Sequence, residues 1–145
     1  MTPALLLMAI QHFLSETLAD NVVTIPAVHI GYLPSKTASN RDQPEYPFII
    51  VRALEGKVTD EHKVKVKLLF GTKSNDDEGY LDVLNLVERV RIAILRSGVL
   101  ERKYRLDNEQ PLMWKLYEEQ PQPEWVAEAT MTWLLPTIRE ENNLL

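Results

Sequence analysis

Two long runs in the middle of the chain follow a period of two, and a β-hairpin is the simplest structure that absorbs them both. They cover residues 47–59 and 62–72 and meet at Thr59, Asp60 and Glu61, a polar turn. In the second run Val64, Val66, Leu68 and Phe70 alternate with Lys63, Lys65, Lys67 and Leu69. Successive strand residues point to opposite faces, so one face is buried and the other is basic. In the first run Phe48, Ile50 and Arg52 alternate with Ile49, Val51 and Ala53. Apolar residues on both sides predict a strand covered on both faces, and therefore a central one.

Helical spacing flanks this hairpin. Thr2 followed by Pro3 is a helix start, and Leu6, Ile10, Phe13, Leu14, Thr17 and Leu18 carry an apolar stripe over residues 3–19, stopped by Asp20 and Asn21. Leu5, Leu7 and Met8 widen that stripe beyond one core face, which reads as a well-buried helix or as contact with a second subunit. Tyr80, Val83, Leu84, Val87, Val90 and Ile94 mark a second helix that ends at Gly98, with Asp76, Asp77 and Glu78 at its positive end.

Between the first helix and the hairpin, residues 22–25 and 28–33 are β-prone and separated by Pro26, an edge strand or one broken at a bulge. Residues 34–46 then lack any apolar period and form a long flexible loop, a candidate contact segment carrying Lys36 and Arg41. The last third returns to strands over 103–107, 112–119 and 125–135, and 139–145 is expected to be a mobile tail. The fold class is therefore α+β: one mainly antiparallel sheet with two helices on one face, in the order α-β-β-β-α-β-β-β.

With 145 residues and no internal repeat, a single domain spanning 1–145 suffices, and its core needs no disulfide or metal. The absence of cysteine excludes thiolate chemistry and Cys-ligated clusters, and a net charge of −5 argues against a general nucleic-acid binder. The longest apolar run, 4–10, is far too short to span a bilayer, and no Lys or Arg precedes Lys36 to form a secretory signal. The expectation is a chain made in the cytoplasm and not inserted in a membrane.

Residues with catalytic or ligating chemistry are scattered. His12, His29 and His62 fall in three separate elements with no i, i+4 pair, and residues 75–79 lack the alternating ligands of a calcium loop. No phosphate-cradling or nucleophile-elbow pattern occurs, and adjacent Glu118 and Glu119 point to opposite faces of a strand. We expect no catalytic residue, no metal and no cofactor, hence no enzyme; an enzyme would require the histidines to converge with distant carboxylates. The distinctive feature is the row Lys63, Lys65, Lys67. Its ordinary reading is a solvated face or edge protection. The functional alternatives are electrostatic docking on an acidic surface of another chain, with the acidic remainder of the molecule as complement in a ring of copies, or a nucleic-acid contact.

Residues 103–106 (KYRL), 111–121 (PLMWKLYEEQP), Pro123, Trp125 and 130–136, preceded by the helix 79–91 containing DVLNL, resemble the tail-terminator or tail-completion proteins of long-tailed bacteriophages and prophages. The similarity covers roughly 47–138 and consists of strands, prolines and aromatics without a catalytic signature. It implies a small α+β virion protein, assembled in the host cytoplasm, that closes into a ring, usually a hexamer. The ring caps the head-proximal end of the tail tube, stops its polymerisation and meets the head-tail connector, with DNA at most passing through. Another connector or neck component is the alternative. No individual contact residue transfers from the family; Lys63, Lys65, Lys67, Lys36, Arg41, Leu5, Leu7 and Met8 are candidates from their own pattern.

Overall fold

In a computed structural model the described residues are 2–19, 25–39, 41 and 45–137. Two helices, α1 (Pro3–Leu18) and α2 (Glu78–Ser97), cover one face of a seven-stranded sheet. The strands are β1 (Ala27–Ile30), β2 (Phe48–Val58), β3 (His62–Lys73), β4 (Val99–Leu100), β5 (Tyr104–Leu106), β6 (Met113–Leu116) and β7 (Glu124–Leu135). The sheet order is β1-β2-β3-β7-β5-β4, and β6 shares an edge of β7 with β5. The α+β class and element order agree with the sequence reading, with the two-residue β4 in addition.

Local rules account for the helix ends. The Thr2 side-chain oxygen accepts from the Leu5 N–H at 3.2 Å, Pro3 opens α1, and Gly98 closes α2 in the left-handed region at φ 66°. At the start of α2 it is Asp76 that accepts from the Glu78 N–H at 3.0 Å. The residues expected to stop α1, Asp20 and Asn21, lie outside the described residues, as does the tail 139–145.

The long strands β3 and β7 pair along their whole length, from His62 with Leu135 to Lys73 with Glu124. Val64, Val66, Leu68 and Phe70 face the helices together with Ala127, Ala129, Met131 and Trp133, and these form one core with Leu6, Ile10 and Leu14 of α1 and Val83, Val87 and Val90 of α2. Of β2, only residues 48–51 are buried on both sides; from Ala53 onward it is exposed, because β1 stops at Ile30 and Leu54 forms a bulge. The central-strand expectation holds for that first half alone.

β1 runs parallel to β2, with Ala27 opposite Phe48 and Ile30 opposite Val51. This direction explains the length of the 34–46 loop. A parallel pair cannot be closed by a tight turn and needs a connection of a dozen residues or more. Residues 31–47 provide it, tied down by Arg52 Nε donating to the Gly31 carbonyl at 2.9 Å and by the Arg52 guanidinium over the Tyr32 ring at 4.4 Å. At the other edge, Gln120 extends the β6 ladder with its side chain, accepting from the Val126 N–H at 2.7 Å and donating to the Val126 carbonyl at 3.1 Å.

Candidate protein-interaction face

Both helices pack on the same side, so among the described residues the opposite face of the sheet carries no helical layer, although Phe48 and Ile50 are buried on it. Register decides which side chains share it. Lys67 stands opposite Arg52 and Thr130, Lys65 opposite Glu55 and Thr132, and Lys63 opposite Lys57 and Leu134. Lys115 joins them beside Glu128, and Arg105 beside Leu134. Cations outnumber carboxylates on this face of a chain whose net charge is −5.

The three lysines are not equivalent, which corrects the picture of a uniform basic row. Lys63 Nζ lies 3.2 Å from Asp107 Oδ2, and Asp107 is only 4 % exposed. That oxygen takes no other donor among the described residues, while Oδ1 accepts from the Glu109 N–H at 3.0 Å. Lys67 Nζ is 2.7 Å from Glu128. Lys65 is exposed and has no ion-pair partner among the described residues. Two of the lysines therefore bind the sheet together internally, and Lys65, with Lys57 across the hairpin, carries charge available to a partner.

A charge reversal at each position separates these roles. Lys63→Glu places a second carboxylate against the buried Asp107 and should lower the unfolding free energy clearly. Lys65→Glu should stay within about 0.5 kcal/mol, as exposed substitutions usually do. Urea denaturation of both variants checks the contrast; equal losses would remove the distinction.

Titration points the same way. The hydrogen bond to Asp107 holds the Lys63 ammonium above the ordinary lysine value of 10.5. Burial raises the Tyr104 and Tyr46 phenols above 10.0, helped at Tyr104 by Glu101 and at Tyr46 by Glu45 and Glu124. In all three the folded state favours the protonated form. Their stabilisation is complete below the unfolded values near 10 and is lost as pH rises through the higher folded values. Stability should therefore hold through neutral pH and fall above about pH 10, with tyrosinate absorbance appearing later than in the unfolded chain. A thermal-melt series across alkaline pH checks this.

The other candidates divide. Leu7 is 9 % exposed and belongs to the core, so it is not available to a partner, whereas Leu5 and Met8 are 46 % and 55 % exposed on the outer side of α1. Lys36 lies 3.9 Å from Glu45, inside its own loop, and Arg41 is exposed. Sequence reasoning did not single out Met113 and Trp114, which are 63 % and 46 % exposed on the edge strand β6. The signal available was a Pro-flanked strand with large side chains on both faces.

A cleft of about 850 Å³ opens at the end of the sheet where β3 meets α2, lined by Tyr46, Thr72, Lys73, Asp82, Arg89 and Glu124, among others. Both signs of charge line it, Lys73 and Arg89 with Glu45, Asp82 and Glu124, and Thr72 Oγ1 is buried there without a hydrogen-bond partner among the described residues. His12, His29 and His62 stand on α1, β1 and β3, with His12 Nε2 3.2 Å from Glu16. Among the described residues no group of three His, Cys, Asp or Glu is placed to hold a metal ion, and no helix is long and apolar enough to cross a membrane.

Comparison with known proteins adds no identification: no protein-family model matches this chain, and no curated protein does.

Proposed function

We propose that this chain is a structural assembly protein of the tail-terminator kind, which closes into a ring of copies, caps the head-proximal end of a phage tail tube and offers a surface to the head-tail connector. The observation that carries the reading is the sheet face without a helical layer. It holds exposed Lys57 and Lys65 beside half-buried Leu134, Thr130 and Thr132, a polar surface with an apolar component of the sort that a second protein covers. The resemblance of residues 47–138 supports the same assignment, and the action is one of shape and charge, with no bond made or broken.

The test is polymerisation of a tail-tube protein with and without the purified chain, with tube lengths and ends viewed by negative-stain electron microscopy. Added chain should shorten the tubes and place a ring at one end. Tubes that grow unchanged, with the chain remaining monomeric at every concentration, would overturn the reading. The nucleic-acid alternative uses the same lysines and is favoured by the excess of cations on that face. It demands DNA affinity that falls steeply with salt and is lost in Lys65→Glu.

A further inference from the structure

The cleft where β3 meets α2 gathers polar groups that the fold itself leaves unused. Along α2, Asp82, Asn85, Leu86 and Arg89 follow the i, i+3, i+4, i+7 spacing of one helical face and form one wall. Their seven-residue span puts Asp82 and Arg89 about 10 Å apart along the helix axis. The rest of the lining includes Tyr46, Thr72, Lys73 and Glu124, where β2 begins, β3 ends and β7 begins. Thr72 is 8 % exposed, and its Oγ1 has no hydrogen-bond partner among the described residues. A buried hydroxyl without a partner is destabilising, and a polar group entering the cleft relieves it. Lys73 stands opposite Glu124 in register, yet Lys73, Asp82 and Glu124 form no ion pair among the described residues.

The lining selects the ligand. Glu45, Asp82 and Glu124 repel a phosphate-rich molecule, and charged walls are costly to desolvate against a wholly apolar one. A ligand that satisfies this cleft carries both signs of charge. The 10 Å between Asp82 and Arg89 is also the length of about three extended residues, more than a single amino acid fills. We infer that the cleft receives the free carboxyl end of a polypeptide with a lysine or arginine among its last three residues. Lys73, Arg89 and the Thr72 hydroxyl take the terminal carboxylate, and Asp82 and Glu124 take the basic side chain; hydrogen bonds between such charged groups are the strong ones. The Tyr46 phenol, kept protonated at neutral pH, is a further donor, and Leu86 gives the chain an apolar contact. The cleft is walled by α2, on the helix side of the sheet, so this inference stands independently of the assembly reading and of the lysine face that carries it.

The experiment titrates the 15N-labelled full chain with the peptide acetyl-Ala-Ala-Lys-Ala bearing a free carboxylate, and follows amide shifts. Shifts should concentrate at residues 72, 73, 82, 85, 89 and 124. The same peptide as its C-terminal amide, or with glutamate in place of lysine, should bind several-fold more weakly. Thr72→Val removes the hydroxyl while keeping the shape of the side chain, so it should weaken binding several-fold without lowering the thermal midpoint. Asp82→Asn, at an exposed position, tests the other half of the site and should weaken the lysine peptide several-fold as well. Shifts absent or confined to another surface overturn the site. Equal affinity for the amide overturns the carboxylate seat, and unchanged binding by Asp82→Asn overturns the seat for the basic side chain. Free lysine bound as tightly as the peptide overturns the chain-end assignment and leaves a site for a small zwitterion.

Discussion

Trp133→Ala should lower the unfolding free energy by about 3–5 kcal/mol, the loss typical of deleting a buried indole from a packed core. Trp133 is the largest fully buried side chain of the molecule, at 0 % exposure. It lies on the core face near the end of β7, opposite Val64 on β3 and Leu106 on β5, so the void would open between two strand pairs. Its Nε1 finds no acceptor among the described residues, which means that the ring contributes through packing alone. Trp133→Phe should therefore retain most of the stability, since it fills much of the volume and removes an unsatisfied donor. Urea denaturation decides the matter: the midpoint should fall strongly in the alanine variant and only modestly in the phenylalanine variant, with the slope unchanged. An alanine variant within 1 kcal/mol of the parent, about the mean cost of any substitution, would show that this core closes around the gap.

Gly79→Ala should be the most damaging single-methyl change. A Cβ at Gly79 would fall 1.9 Å from the Trp125 indole, which packs across the first turn of α2 and donates Nε1–H to the Ser74 carbonyl at 3.1 Å. The ring has to leave, and with it the clamp between β7 and the start of α2. Overpacking of this kind typically costs about 1–3 kcal/mol and occasionally more. The sign is notable, because glycine to alanine within a helix is ordinarily stabilising. Gly71→Ala meets the Phe48 ring at 2.3 Å on the opposite face of the sheet and should behave similarly. Gly56→Ala supplies the control, since its new methyl makes only ordinary contacts at 3.6 Å and should change little. Thermal melts of the three variants with near-equal midpoints would refute the role given to these close approaches.

The periodic elements were legible from residues alone. Val64 to Phe70, the stripe of α2 and the alternation of β7 each repeat often enough for the side facing the core to be read directly, and they carry most of the fold. β1 was not legible as a parallel strand. Its four residues contain too little pattern, and direction is set by what lies beside a strand and not within it. The length of the 34–46 loop was visible, but its cause, the crossover that parallel pairing requires, was not. The bulge at Leu54 hid the change of β2 from buried to exposed, because it shifts the phase of the alternation.

For the candidate site, the row of lysines could be seen and their availability could not. Lys63 and Lys67 are satisfied by Asp107 and Glu128, distant in sequence and brought near only by the pairing of β3 with β7 and by the turn after β5. Leu7 likewise could not be separated from Leu5 and Met8, since a stripe this wide does not state which of its edges faces the core. Gly71 and Gly79 carried no sign that aromatic rings lie against them.

The crossover from β1 to β2 has a consequence for the proposed assembly. β1 is held to the sheet by a four-residue ladder with β2, and α1 by Leu6, Ile10 and Leu14 in the shared core. Exchange of the α1–β1 unit between copies would have to break this core packing and would remake the same contacts on a neighbour's β2. In that assembly, a strand exchanged in this way would join copies by backbone hydrogen bonds, which salt does not screen.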